Sequence, residues 1–181
     1  MNSILKRYPD LRHVYLLVNQ GGVFPGPTVV QTVLGSCVSV TFHCPATKVG
    51  AIFHALLPHW KSYESQGAMI NQFKYVDSSI DYLLRILAQR DIAINRLQCK
   101  VFGGAGAMFQ GEAAVGGKNV AAALETLESH GLKVQSSSTG GNLGRKLFFI
   151  THTGEVLTQS IKSQSLGKEP RNQRNSSTGK E

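Results

Sequence analysis

The sequence is poor in cysteine and contains no metal-binding cysteine pattern. Only three cysteines occur in 181 residues, namely Cys37, Cys44 and Cys99, and no two of them form a CxxC pair. An odd number without paired spacing argues against a disulfide framework, and the absence of a Cys/His cluster argues against a zinc site. We therefore expect a protein of a reducing, cytoplasmic compartment that holds no metal.

Long hydrophobic segments are also missing. The first 22 residues lack the apolar core and the small-residue cleavage site of a secretory signal peptide. The apolar runs elsewhere are much shorter than the roughly 20 residues that a membrane-spanning helix needs. The sequence thus predicts a cytoplasmic protein without direct membrane insertion.

The positive charge is not gathered into a nucleic-acid-binding patch. The formal net charge is +8, and residues 162–181 contribute five Lys/Arg and two Asp/Glu to it. The rest of the chain has no basic run interleaved with aromatic residues, so we expect no nucleic-acid partner. Because Leu166 is the single large apolar residue of the terminal segment, we predict a domain over 1–161 and a disordered basic tail over 162–181.

Apolar and β-branched patterns predict about seven or eight strands and two main helices in one domain. The first helix is predicted over 71–89 with Asn71 as its cap, and the second over 117–130 with Gly131 ending it. The predicted strands cover residues 13–19, 28–34, 37–43, 49–57, 97–102 and 132–136, and a hairpin over 146–151 and 155–160. Together these elements predict a layered α/β sandwich with mixed or antiparallel sheets.

The sequence also predicts which face of the second helix is buried and whether a glycine-rich segment binds a nucleotide. In the second helix we expect Val120, Ala123, Leu124 and Leu127 to face the core. The glycine-rich segment 103–109 lacks the Lys-Ser/Thr of a phosphate loop, so we expect its glycines to serve close backbone packing.

A thiol and an imidazole lie on two consecutive predicted strands. His54 follows Cys37 by seventeen residues, and the chain reverses between them near residues 44–47. If the turn centres between Pro45 and Ala46, Cys37 lies directly opposite His54, with Cβ atoms about 4.5–5.5 Å apart. A register shift of two residues would keep both side chains on one face, whereas a shift of one would separate them.

Such a pair is suited to nucleophilic catalysis. An adjacent imidazole can activate a thiol and later protonate a leaving group. Gly35 and Ser36, directly before Cys37, suit a close approach of the backbone to a substrate, where N–H groups would stabilise an oxyanion. The competing interpretation is that Cys37 and His54 are ordinary core residues of a structural α/β domain.

The segments LGSCVSV (34–40) and GAIFHALLP (50–58) resemble the CheD family of chemoreceptor glutamine deamidases. Further segments are similar to family motifs, in the same order along residues 13–160. They are VFGGAGAMF at 101–109, GGKNV at 116–120, TGGNLGR at 139–145 and TGEV at 153–156.

The resemblance implies an α/β sandwich with a Cys-His-Thr site. Cys37 is then the nucleophile, His54 the general base and acid, and Thr32 the third member, which orients His54. In some relatives the threonine lies six residues before the cysteine, where this chain has Gln31, and neighbouring strand positions face opposite sides. Cys44 stands where an acidic residue is common, and we interpret it as a loop substitution.

The family resemblance also implies substrate and partners. It implies a protein-glutamine glutaminase that hydrolyses glutamine side chains of methyl-accepting chemotaxis receptors through a thioester, without a cofactor. Trp60, in the predicted loop 58–70, is our candidate for part of the substrate-binding surface. Gly35 and Ser36 are our candidates for the site that stabilises the oxyanion. The alternatives are a binding module that regulates a CheC-type phosphatase, and a thiol amidase that acts on another protein.

Overall fold

The computed structural model describes residues 3–62, 71–106 and 110–161. In this part of the chain nine strands and two long helices are present. The predicted tail, 162–181, lies outside the described residues. The helices are α1 Ser3–Lys6, α2 Val76–Ala88 and α3 Gln110–Ser129. The strands are β1 Arg12–Tyr15, β2 Gln20–Phe24, β3 Thr28–Leu34, β4 Val38–Cys44, β5 Val49–His54, β6 Gln98–Gly103, β7 Val134–Thr139, β8 Gly144–Ile150 and β9 Glu155–Ile161.

The strands form two sheets that pack face to face. One sheet has the order β1-β3-β8-β9 and the other the order β2-β5-β4-β6-β7. The pairs β1–β3 and β6–β7 are parallel and the remaining pairs are antiparallel, so both sheets are mixed. The predicted α/β class and the layered arrangement in one domain are confirmed.

Two hydrophobic clusters define the layers. The larger cluster joins β4, β5 and β6 to α2 and α3, which therefore cover the outer face of the five-stranded sheet. The second cluster lies between the sheets and includes Val30, Leu34, Leu147 and Ile52. Since strand side chains alternate between the two faces, every second residue of these strands points into the space between the sheets.

Both helices differ from the prediction at their N-terminal ends. Helix α2 begins at Val76, and Asn71 does not cap it; instead its Oδ1 accepts a hydrogen bond of 3.0 Å from the Phe73 N–H in the preceding turn. The predicted apolar stripe of α2 is otherwise confirmed, because Val76, Ile80, Leu83, Leu84 and Leu87 are buried.

Helix α3 begins at Gln110, seven residues before the predicted start. Leu124, predicted to face the core, is 44% exposed, whereas Ala122 is fully buried beside Ala123 and Leu127. The stripe therefore runs through small residues, which let the helix lie close to the sheet. The predicted end at Gly131 is confirmed, with this glycine in the left-handed conformation at φ 71°.

The prediction missed strand β2. It treated Gly21 and Gly22 as the end of the first strand, but both lie within β2, which pairs with β5. A Cβ on Gly21 would lie 2.5 Å from the Phe73 ring and 2.8 Å from Cβ of Phe53. Glycine is needed there for close packing, and this need depends on a residue 52 positions away.

Within the described residues, no helix is long and apolar enough to cross a membrane.

Candidate active site

Cys37 lies in a short loop that joins the two sheets. The loop leaves β3 after Leu34, and Cys37 directly precedes β4. The Cys37 side chain is half-buried against the cluster between the sheets, whereas Cys44 and Cys99 are fully buried. Cys37 is thus the one cysteine of the three whose sulfur solvent or a substrate can reach.

The register of the β4–β5 hairpin is shifted by two from the predicted one. Cys44 pairs with Val49 and His43 with Gly50, so the predicted pairing of His43 with Lys48 is wrong. The Lys48 N–H donates to the Cys44 carbonyl at 2.8 Å, and Lys48 adopts a left-handed φ of 57°. The loop therefore comprises residues 45–48, and Cys44 is a buried residue of β4 instead of a loop residue.

This shift keeps Cys37 and His54 on the same face. The bridge between Val38 and Ala55 extends the register, so that Cys37 lies diagonally from His54 instead of directly opposite it. Diagonal neighbours have Cα atoms about 7–8 Å apart and remain within reach of long side chains. Both residues face the space between the sheets, as Ile52 does two positions before His54.

His54, the last residue of β5, is held by Thr32 from the other sheet. Its Nδ1 lies 2.8 Å from Oγ1 of Thr32, and that hydroxyl donates its hydrogen to the Leu16 carbonyl, also at 2.8 Å. A hydroxyl has one hydrogen, so Nδ1 must donate to Thr32. The hydrogen-bond pattern therefore assigns the N–H to Nδ1 and leaves the lone pair on Nε2.

Strand alternation explains why Thr32, and not Gln31, contacts His54. Thr32 is fully buried and lies between Val30 and Leu34, which both belong to the cluster between the sheets. Gln31 has the opposite parity on β3 and therefore faces the other side of the four-stranded sheet. The threonine five residues before Cys37 is thus the one that reaches the imidazole.

Burial makes the neutral forms of thiol and imidazole the stable ones. Burial lowers the pKa of His54 to about 4, against a smaller opposing effect of the Leu16 carbonyl. Burial also raises the pKa of the Cys37 thiol. At neutral pH the resting site therefore holds a thiol and a neutral imidazole, whose Nε2 is free to accept a proton.

The loop before β4, residues 35–37, has its carbonyls paired, whereas its three N–H groups are unpaired. The carbonyls of Gly35 and Cys37 accept hydrogen bonds of 2.8 Å from the N–H groups of Ala105 and Gly104. The Ser36 carbonyl accepts one of 2.9 Å from Nδ2 of Asn119. In the part of the chain that the structure describes, the N–H groups of Gly35, Ser36 and Cys37 have no backbone or side-chain acceptor outside their own residues.

Asn119 links the two halves of this site and was not singled out from the sequence. It is fully buried on α3, and its Nδ2 donates to both the Ser36 carbonyl and the Leu56 carbonyl, the latter at 3.0 Å. These carbonyls lie one residue before Cys37 and two residues after His54. The segment GGKNV at 116–120 carried this asparagine as a motif residue, but nothing local revealed its contacts.

Trp60 packs against the beginning of α2. Its backbone N–H donates to both carboxylate oxygens of Asp77 at 3.0 Å, and its ring meets that of Tyr75 edge-on at 5.3 Å. Residues 63–70 of the predicted substrate-binding loop lie outside the described residues. A contact of Trp60 with substrate therefore remains a prediction.

Three exposed apolar residues lie on the chain segments that adjoin His54. Leu17 is 56% exposed, Val18 44% and Leu56 36%. The next residue after Val18, Asn19, donates its N–H to the His54 carbonyl at 2.8 Å. These three exposed residues, Leu17, Val18 and Leu56, thus lie on the two chain segments that adjoin His54, and we call them the apolar rim.

The chain is similar to proteins of bacterial and archaeal chemotaxis. The family model described as "CheD chemotactic sensory transduction" matches residues 56–160. The "Probable chemoreceptor glutamine deamidase CheD" of Nitratidesulfovibrio vulgaris is 45% identical over 160 residues, covering 84% of this chain and 79% of the relative. A "Probable chemoreceptor glutamine deamidase CheD 2" of Geobacter sulfurreducens is 44% identical over 157 residues, covering 86% and 94%.

A more distant relative has the same name without the qualifier. The "Chemoreceptor glutamine deamidase CheD" of Thermotoga maritima is 33% identical over 146 residues, which cover 80% of this chain and 89% of the relative.

Proposed function

The chain belongs to the CheD family, whose named members are chemoreceptor glutamine deamidases, and from this membership we propose that it hydrolyses glutamine side chains of methyl-accepting chemotaxis receptors to glutamate and ammonia. The observation that carries the proposal is the hydrogen bond of 2.8 Å between Thr32 and Nδ1 of His54. It leaves Nε2 as the basic nitrogen, on the face of the sheet that also carries Cys37.

The proposed reaction begins with proton transfer from the Cys37 thiol to Nε2 of His54. The thiolate attacks the carbonyl carbon of the glutamine amide, and a C–S bond forms while the carbonyl electrons move to oxygen. The imidazolium then protonates the amide nitrogen, and ammonia leaves as the C–N bond breaks. In the second half, His54 deprotonates a water that attacks the thioester, releasing the glutamate side chain and restoring the thiol.

The electrostatics favour base-assisted attack over a preformed ion pair. Because the pKa of His54 is lowered to about 4, the imidazole is neutral and able to accept a proton across the physiological range. The raised pKa of Cys37 means that the thiolate is made at the moment of attack. General base catalysis of this kind contributes about 10²–10⁴-fold in rate.

The N–H groups of Ser36 and Cys37 are our candidates for the oxyanion site. Their carbonyl counterparts are paired, and a trans peptide directs its N–H opposite to its C=O. By holding the Ser36 carbonyl, Asn119 turns the Cys37 N–H away from α3. We assign Asn119 as a positioning residue, since it acts through the loop and not on the reacting atoms. One oxyanion donor is typically worth about 10²–10³-fold in kcat.

The apolar rim is the proposed contact surface for the receptor. Leu17, Val18 and Leu56 are exposed on the segments that adjoin His54, and exposed apolar patches commonly mark protein-binding sites. Trp60 extends this proposed surface toward the predicted loop 58–70. A folded receptor domain would bury these side chains while a glutamine side chain reaches Cys37.

The experiment is deamidation of a purified receptor cytoplasmic domain by the full chain. Wild-type protein is expected to release ammonia and to increase the mass of modified peptides by about one dalton per glutamine. Cys37→Ala should abolish both, and Cys99→Ala, which alters a fully buried thiol, is the matched control. Unchanged ammonia release by Cys37→Ala would refute the assigned nucleophile. Tight binding of a CheC-type phosphatase without ammonia release would favour the binding-module alternative.

A further inference from the structure

A pocket of about 300 Å³ opens between the edge strands of the two sheets, separate from the residues assigned to catalysis. Its walls include Ser138 and Thr139 of β7, and Thr158 and Ser160 of β9. Arg145 of β8 also lines it. Arg145 pairs with Ser160 and faces the space between the sheets, as Leu147 does. The pocket thus combines hydroxyl groups with one guanidinium.

Arg145 is a buried cation without a carboxylate partner among the described residues. Its side chain belongs to a residue that is only 8% exposed, and the ion pairs of the described part involve other residues. Nη1 donates to the carbonyl and hydroxyl of Ser138, and Nη2 donates to the Gly140 carbonyl. Burial lowers the pKa of Arg145, as expected for a cation removed from water.

These hydrogen bonds use three of the five N–H groups of the guanidinium. The two that remain belong to Nε and Nη2, the neighbouring nitrogens with which arginine binds a carboxylate in bidentate fashion. Burying a charge without an opposite charge nearby costs free energy. A pocket that lies beside Nε and Nη2 of this guanidinium is therefore suited to an anion. The bonds to Ser138 and Gly140 hold the guanidinium in place before any ligand arrives.

The pocket is close to the Cys37 loop. Arg145 pairs with Leu34, the residue before Gly35, and Thr139 pairs with Gly103, which in turn pairs with Val38. Adjacent strands are about 4.8 Å apart, so Thr139 lies roughly 10 Å from the strand that follows Cys37. The Gly140 N–H also donates to the Gly103 carbonyl at 2.9 Å. This bond connects the pocket loop, residues 140–143, to the end of β6, where the Gly104 N–H donates to the Cys37 carbonyl.

We propose that this pocket binds an acidic side chain of the receptor, with Arg145 pairing its carboxylate and the hydroxyls of Thr158 and Ser160 completing the contact. The inference rests on the proposed deamidase function and names the chemistry that selects its substrate.

The first arm of the test is steady-state kinetics of the full chain on the receptor domain. Thr158→Val and Ser160→Val each remove a hydroxyl and leave the bonds from Arg145 to the pocket loop. Each is expected to raise KM about threefold and leave kcat nearly unchanged. Gln159→Val, on the opposite face of β9, is the matched control and should change neither constant. Arg145→Lys, which loses the bidentate edge, should raise KM about tenfold.

The second arm does not require catalysis. Sodium glutarate is titrated into the full-length Cys37→Ala chain, and the Nε–H resonance of Arg145 is followed by NMR. A saturable shift in the millimolar range is expected, and sodium chloride at matched ionic strength should not reproduce it. This arm reports on the pocket even if wild-type protein fails to release ammonia, so loss of the proposed function and loss of this inference are distinguishable.

The opposite pattern would overturn the inference. If Arg145 serves only to fix the pocket loop, Arg145→Lys should lower kcat through Gly103 and leave KM unchanged. Thr158→Val and Ser160→Val would then behave like Gln159→Val, and glutarate would not shift the Arg145 resonance.

Discussion

The hydroxyl of Thr32 lies 2.8 Å from Nδ1 of His54, and the two residues belong to different sheets. Thr32 is on β3 of the four-stranded sheet and His54 on β5 of the five-stranded sheet. Because the Thr32 hydroxyl also donates to the Leu16 carbonyl, it can only accept from the imidazole. Packing of the two sheets therefore sets the tautomer of His54, and the proposed chemistry depends on it.

Thr32→Val should lower kcat/KM for receptor deamidation about tenfold or more. Valine matches the shape of threonine, but it leaves the Nδ1–H of His54 and the Leu16 carbonyl unpaired in a buried place, which costs about 1–3 kcal/mol. The measurement is initial ammonia release at several receptor concentrations. Thr32→Ser, which keeps the hydroxyl, should retain most of the activity.

Gln31→Ala is the matched control for this prediction. Gln31 neighbours Thr32 but faces the other side of the sheet, so its loss should leave kcat/KM within about twofold of wild type. If Gln31→Ala were the damaging change and Thr32→Val the harmless one, the assignment of Thr32 would be wrong.

The shared face of Cys37 and His54 was predictable because it depends on parity alone. The predicted hairpin register was wrong by two residues, yet a shift of two leaves every side chain on its original face. The same alternation placed Gln31 and Thr32 on opposite faces, although the sequence did not say which of them pointed inward. That choice depends on Val30 and Leu34 packing against the second sheet.

Contacts between distant segments were not predictable. The β4–β5 turn is centred one residue later than predicted, because Lys48 adopts a left-handed conformation that the sequence does not indicate. Gly21 lies within β2 and leaves room for the Phe73 ring that packs over it, so the residues next to Gly21 do not reveal why glycine is needed there. Asn119 reaches Ser36 from a position 83 residues away along the chain, so its role required the tertiary structure.

Iodoacetamide should label Cys37 faster than Cys44 and Cys99 in the native protein. Cys37 is half-buried, whereas the other two thiols have no exposed surface. Because burial raises the pKa of Cys37, its labelling rate should keep rising from neutral to alkaline pH, as the reactive thiolate accumulates. Peptide mass spectrometry at several pH values measures this. A rate that reaches a plateau near neutral pH would instead indicate a stable thiolate–imidazolium pair.

Asn119→Ala should lower kcat more than it raises KM. The substitution leaves the carbonyls of Ser36 and Leu56 without their donor, which costs about 1–3 kcal/mol of stability and frees the peptide before Cys37 to rotate. Steady-state kinetics and urea unfolding measure the two effects separately. Lys118→Ala, at the neighbouring exposed position, is the control and should change neither.

A loss of stability alone would not support the positioning role of Asn119. The effect of partial unfolding on the rate can be removed by dividing kcat by the folded fraction, at urea concentrations well below the unfolding midpoint. If kcat per folded molecule equals the wild-type value, Asn119 is merely a core residue. Slower labelling of Cys37 by a glutamine-like electrophile in Asn119→Ala, with unchanged labelling of the denatured chain, would support the role.

His54 should make the protein less stable as the pH falls from 6.5 toward 4. Burial lowers its pKa to about 4 in the folded state, whereas an unfolded chain has the ordinary value of 6.5. Between these values the unfolded state binds more protons, so the free energy of unfolding decreases as the pH falls. The stabilisation is complete above pH 6.5, and about 2–3 kcal/mol of it should be lost by pH 4.5.

The measurement is urea unfolding at pH 7 and 4.5, with His54→Asn as the matched variant. The asparagine amide can still donate to Thr32 in place of Nδ1–H, but it does not titrate in this range. Its unfolding free energy should therefore fall by about 2–3 kcal/mol less than that of wild type over the same interval. An equal pH dependence in both proteins would mean that the pKa of His54 is the same in the folded and unfolded states. Burial between the sheets would then not be what keeps the imidazole neutral.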